Sequence, residues 1–174
     1  MNFILNATPL IYLTKAGLSW IFKAVKGVVF STPAVYSEVV RRGKELGCPD
    51  AKVIEDLFER GILAVRTPKR TILRRIRETA TEGVGAPLHA GEAEVLALAE
   101  ELGAVAIVDE KPAREVGETL GIEVRGSAYL IGLTVKARKI KVGQAIQAID
   151  KMISGGWRIS IEDYLKIVAE LKRR

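Results

Sequence analysis

Two residue types that build many active sites are nearly missing from this chain. Cys48 is the single cysteine, which excludes an internal disulfide framework and a cysteine zinc site. His89 is the single histidine, so histidine metal clusters are excluded as well. No apolar run approaches the roughly 20 residues of a membrane helix. No basic segment followed by a long apolar stretch and a cleavage site opens the sequence, so no signal peptide is expected. No membrane association and a cytoplasmic location follow as expectations. Side-chain amides are confined to Asn2, Asn6, Gln144 and Gln147, while Lys, Arg and Glu abound, a pattern that points to a thermophilic source.

What remains is an ordinary globular composition, with 48% hydrophobic and 28% charged residues in 174. That length suits one domain with a real core, expected here over residues 1–174. The formal net charge of +6 suits an anionic partner such as nucleic acid.

Short apolar runs alternate with helical patterns along the chain. Strands are expected near residues 2–6, 28–31, 62–65, 105–108 and 122–125. Thr8-Pro9 and Thr32-Pro33 each read as an N-cap followed by a proline-started helix. Asp50 is expected to cap a helix that Gly61 stops, Gly43–Pro49 to form a turn, and Thr79–Pro87 a flexible loop. The alternation argues an α/β fold with a mainly parallel sheet. Residues 1–137 supply this core, and a helical C-terminal extension covers 138–174, with Ser160 capping the last helix.

One stretch draws the chemistry. On a helical wheel Glu92 shares the face of Val95, Leu96 and Ala99, whereas Glu94 and Glu101 fall on the opposite, solvated side. A buried carboxylate is costly unless paired, hydrogen-bonded or bound to metal, so Glu92 needs a reason. Asp109 ends the apolar run Val105–Val108, which reads as a buried parallel strand. Ligands of open α/β sheets sit outside the carboxyl ends of their strands. Asn6 and Glu38 fall at comparable places, after a strand and on the helix that follows one.

Taken together, Asn6-Ala7-Thr8-Pro9-Leu10-Ile11-Tyr12-Leu13, Pro33-Ala34-Val35-Tyr36-Ser37-Glu38-Val39, Gly91-Glu92-Ala93-Glu94, Ile107-Val108-Asp109-Glu110 with Ala113-Arg114, Gly126-Ser127 and the corner Gly156–Ser160 resemble the PIN domain, in its toxin-like prokaryotic branch. The resemblance implies a three-layer α/β/α sandwich around a parallel, five-stranded sheet. It also implies a metal-dependent ribonuclease in which Glu92, Asp109, Glu38 and Asn6 hold Mg²⁺ or Mn²⁺. Such a cation activates water and steadies the charge growing on a scissile phosphate. RNA is the implied substrate and a small antitoxin the implied partner. The apolar stripes of the C-terminal helices suggest a homodimer. Asn6 departs from the family pattern, which carries aspartate there; an amide can ligate but adds no charge and cannot act as a base.

Each residue also has a plainer reading. Glu38 stands four residues before Arg42, the spacing of an ordinary helix salt bridge. Asp109 and Glu110 precede a proline-started helix and suit its positive end, as Glu92 suits its own. Thr8 and Ser127 read as caps, with a ligand or substrate-binding role as the functional alternative. Arg114 reads as a partner of Asp109 or Glu110, with phosphate contact as its alternative. The basic run over 66–77, including Lys69, Arg70 and Arg74, is either a solvated face or a sequence-independent phosphate track. A haloacid-dehalogenase-like phosphatase is disfavoured because Asn6 cannot replace its nucleophilic aspartate. A doubly wound nucleotide binder is disfavoured because no glycine-rich turn follows the first strand. The stronger rival is a PIN-fold protein that binds RNA or a protein partner without cutting.

Overall fold

The computed structural model describes residues 1–173. β1 (Phe3–Leu5) leads directly into α1 (Ala7–Lys15), followed by α2 (Ile21–Ala24), β2 (Val29–Ser31), α3 (Pro33–Tyr36), a π-helical turn over Ser37–Arg42, α4 (Gly43–Glu45), α5 (Pro49–Glu59) and β3 (Leu63–Val65). α6 (Arg70–Glu78) runs into a second π-helical turn over Thr79–Val84. Then come α7 (Ala90–Leu102), β4 (Val105–Ile107), α8 (Lys111–Thr119), β5 (Val124–Arg125), α9 (Ser127–Lys136), α10 (Val142–Ser154) and α11 (Ile161–Lys172).

All five expected strands are present and all pair in parallel, in the order β3-β2-β1-β4-β5. The two middle partners are the most apolar: every residue of β1 and β4 is at most 2% exposed. The edge strands carry what can face water, Val65 on β3 and Arg125 on β5. Chain direction reverses sides at β1, whose neighbours β2 and β4 take the chain opposite ways. The gap between the carboxyl ends of β1 and β4 is therefore the topological switch point, the usual ligand crevice of an open α/β sheet.

Helices cover the sheet in two layers. α1 contacts α5, α9 and α10, while α7 contacts α6 and α8. This is the three-layer α/β/α sandwich. α7 is buried nearly all round, with Ala93 and Val95 to Ala99 at most 1% exposed. Truncating Leu96 to alanine there should cost about 2–5 kcal/mol through the cavity it leaves. α10 packs on α9 and α1, and α11 on α10 and α9. Among the described residues no helix is long and apolar enough to cross a membrane.

Several local expectations need correction. Gly43–Pro49 is not all turn: the helix after Thr32-Pro33 runs on through its π-helical segment to Glu45. Cys48, not Asp50, takes the cap position of α5, because Pro49 fills the first helical site. Asp50 is instead buried in the first turn. Thr79–Val84 is helical, and only Gly85, at φ +71°, stops it. Glu94 and Glu101 are not simply solvated. Glu94 Oε2 accepts the Ala34 N–H at the start of α3 (2.9 Å), and Glu101 Oε2 accepts the Lys69 N–H ahead of α6 (2.9 Å). With both faces of α7 covered, its outer glutamates satisfy orphan donors of neighbouring helices.

Candidate active site

Asn6 leaves β1 in an extended conformation, its N–H bonded to the Ile107 carbonyl (3.1 Å), so the ends of β1 and β4 are clamped together. It holds the cap position of α1 but its side chain caps nothing. Instead Nδ2 donates to Glu110 Oε2 at 3.1 Å. Thr8 is likewise no cap, since the helix already begins at Ala7; its hydroxyl donates to Glu110 Oε1. Glu110, the residue after Asp109, thus turns back over the switch point and is held by two side chains of the first strand-helix junction.

Glu92 is 7% exposed, as its place on the apolar stripe required. Part of its reason is local: Oε2 accepts the His89 N–H at 2.8 Å, the reaching-back arm of a capping box. The rest is electrostatic. Burial raises the Glu92 carboxyl above its ordinary range, and Glu110 and Glu38 raise it further, against the lowering His89 bond. Glu38 is also raised, first by burial and then by Glu110, with His89 and Arg42 pulling the other way. Glu38 and Arg42 form no salt bridge. A π-helical turn stacks residues five apart, so the four-residue spacing no longer aligns them. Glu38 consequently has no protein hydrogen bond among the described residues.

Gly91 keeps this corner open. A Cβ there would lie 3.2 Å from Asn6 Oδ1, 3.7 Å from Glu38 Oε2 and 3.1 Å from a Val35 methyl. The amide oxygen and the carboxylate therefore face one small space over the start of α7.

Asp109 reaches the same sheet edge but is already engaged. Oδ1 accepts the Ser127 N–H (2.8 Å), while Oδ2 accepts the Ser127 hydroxyl (2.5 Å) and the Trp157 indole N–H (3.1 Å). Burial raises its carboxyl, the Ser127 bonds lower it, and Glu110 adds repulsion. Ser127 is thus a donor to Asp109 at the first turn of α9. Arg114 is exposed and pairs with neither Asp109 nor Glu110. The basic run is partly neutralised: Arg66 meets Glu101, Arg75 meets Glu100 and Arg74 meets Glu78. Among the described residues Lys69 and Arg70 form no ion pair, and none of these cations pairs with the acidic residues of the switch point.

Two contributors escaped the sequence reading. Glu110 looked like a helix-start acid, and only its proximity to Asp109 in an acidic pair hinted at more. Trp157 lies 48 residues from Asp109, and no local pattern joins them.

The donor set is all oxygen, which suits Mg²⁺ or Mn²⁺. The mutual repulsion of Glu38, Glu92 and Glu110 is of the kind a cation relieves. Among the described residues, however, no three Asp, Glu, His or Cys side chains stand close enough to share one ion. Because Mg²⁺ keeps several waters and takes one or two carboxylates, the pocket still fits it.

Fold and site define an α/β/α protein with an acidic, oxygen-lined pocket at the switch point of a parallel sheet. The chain belongs to the PIN-domain family, whose model matches residues 2–173. It is 29% identical over 104 residues to the endoribonuclease Nob1 of Methanocaldococcus jannaschii, covering 60% of this chain and 48% of that protein. The chain thus spans about half the length of this curated relative. Among solved structures it is similar in fold to VapBC-1 from nontypeable Haemophilus influenzae, with a TM-score of 0.55 and 19% identity over 73% of this chain and 98% of the other.

Proposed function

We propose that the chain is a divalent-metal-dependent ribonuclease of PIN type that hydrolyses RNA phosphodiesters. The observation carrying this reading is the Glu38–Glu92–Glu110 group at the switch point, in which Glu110 supplies a carboxylate beside Asn6, the position that lacks one. Glu38 and the amide oxygen of Asn6, which face one space, would hold Mg²⁺ or Mn²⁺ directly. Glu92 and Asp109, the latter already engaged by Ser127 and Trp157, would reach it through bound waters. The cation, when bound, supplies positive charge for the phosphate and a more acidic water. Glu38, which has no protein hydrogen bond among the described residues, is the carboxylate whose oxygens are free to meet a cation or its bound water. Thr8 and Asn6 orient Glu110; Ser127 and Trp157 orient Asp109. Arg114, Lys69 and Arg70 are free to meet phosphates, and Arg74 could do so by leaving Glu78.

Within the family resemblance, the chain is the toxin of a pair held by a small antitoxin. Ile161 and Leu165, 81% and 60% exposed on α11, support a homodimer. Light scattering that gives a monomer at high concentration would remove the dimer.

The spacing of the carboxylates favours a second reading, a PIN-fold protein that binds RNA or a partner without cleavage. Incubating single-stranded RNA with the protein and Mg²⁺ or Mn²⁺ separates the two. Cleavage that disappears in Glu38→Gln and Glu110→Gln supports the nuclease. Binding without cleavage, with cleavage appearing only in Asn6→Asp, supports the disarmed copy.

A further inference from the structure

A cavity of about 560 Å³ opens beside Asp109 and Gly126, between the β5–α9 edge and α11. Its volume lies within the roughly 300–1,000 Å³ of ligand sites. Trp157 and Tyr129 give it aromatic walls, with Ile159 and Ile167 adding apolar surface. Arg114 and Arg158 line it without forming an ion pair among the described residues, and so do Glu118 and Glu170. Arg125 is spoken for: it meets Glu123 at 3.2 Å and stands over the Tyr129 ring at 5.7 Å.

We propose that this cavity binds one nucleotide unit of a single-stranded RNA. A flat base uses the aromatic and apolar walls, its exocyclic amino groups suit free carboxylates, and its phosphate suits a free guanidinium. A simple inorganic anion would meet as many acids as cations, and a purely apolar ligand would leave the arginines unused. The nucleotide uses all of them. Trp157 lines the cavity and also donates to Asp109 Oδ2, so the subsite adjoins the acidic pocket through one side chain. The choice of RNA rests on the ribonuclease reading; the binding itself needs no catalysis.

The chain has two tryptophans, and Trp20 lines a separate hollow with Lys23 and Lys139. Trp20→Phe therefore leaves Trp157 as the sole tryptophan, which excitation at the red edge of the absorption band reads apart from the tyrosines. In EDTA, nucleoside 5′-monophosphates should change its emission saturably, and inorganic phosphate should bind much more weakly. Arg158→Ala should weaken the mononucleotide about tenfold or more, the worth of a charge-assisted hydrogen bond. Calorimetry on the wild type should give the same affinity. No saturable response, a response equal for phosphate, or one unchanged in Arg158→Ala overturns the proposal, as does calorimetric binding that Trp157 does not sense. RNA cleavage is followed in parallel. Cleavage with a silent Trp157 removes the subsite and keeps the nuclease; a saturable Trp157 response without cleavage does the reverse.

Discussion

The Asn6 amide donates to Glu110 Oε2 across 3.1 Å at the junction of β1 and β4. An amide in that place turns what would be a clash of two carboxylates into a hydrogen bond. The protein can thus hold Glu110 beside β1 without a cation, which an aspartate at position 6 would do less well.

Asn6→Asp tests this directly. It removes the donor and sets a carboxylate against Glu110, so unfolding free energy in EDTA should fall by about 1–3 kcal/mol. The stabilisation by added Mg²⁺ or Mn²⁺ should grow at the same time. Urea unfolding of both proteins with and without the cation checks it; equal stability in EDTA would show that the bond contributes nothing.

The raised carboxyls make stability depend on pH. Glu38 and Glu92 bind a proton more readily in the fold than in the open chain, where the ordinary value is 4.5. The folded state therefore holds more protons between 4.5 and the raised values, and stability falls as pH rises through that window. Glu38, Glu110, His89 and Arg42 are the charges that act on these two. Glu92→Gln isolates the effect, because glutamine at the same helix position keeps the capping box. The variant should gain on the wild type as pH rises from 4.5, in the absence of divalent cation. A pH-independent difference in urea unfolding would contradict it.

How far the sequence spoke depended on whether a residue's partners were local. β1 and β4 were legible because every residue in them is apolar and their burial needs no partner to be guessed. Glu92 was legible because one charge on an apolar stripe is visible in a single helix period. The turn at Ser37–Arg42 was not, since a π-helical insertion leaves the apolar pattern near Val39 and Val40 intact while moving Glu38 away from Arg42. Glu110 was hidden by a sound local reading, a carboxylate before a proline-started helix. Its bonds to Asn6 and Thr8 span more than a hundred residues and depend on the strand order, which propensities do not encode.

Trp157→Phe removes one donor from Asp109 while keeping a ring in the 5%-exposed slot. The loss of a hydrogen bond to a charged group should cost about 1.5–3 kcal/mol. Trp157→Ala should cost about 3–5 kcal/mol, because a cavity is added. Thermal or urea unfolding of the two variants separates the bond from the packing. If Phe is neutral, Ser127 alone holds Asp109.

Gly91 offers the sharpest separation of site from fold. It lies in the first turn of α7, where alanine is the better helix former and glycine gives up as much as about 1 kcal/mol. Gly91→Ala should therefore fold at least nearly as well as the wild type. Its Cβ, however, would enter the space between Asn6 Oδ1 and Glu38 Oε2, at 3.2 and 3.7 Å, with the Val35 methyl at 3.1 Å behind it. Asn6 at β1's exit and Val35 on α3 are buried, whereas Glu38 is an exposed, flexible side chain that can swing aside. The added methyl would therefore displace Glu38 from the space it shares with Asn6. The expected outcome is a stability within about 1 kcal/mol of wild type, together with a lost or sharply reduced stabilisation by Mg²⁺ or Mn²⁺ and lost RNA cleavage. Unfolding curves with and without the cation, and a cleavage assay on the same preparations, decide it. A variant that keeps the full metal response would place the cation away from Asn6 and Glu38, on the Asp109 side of Glu110.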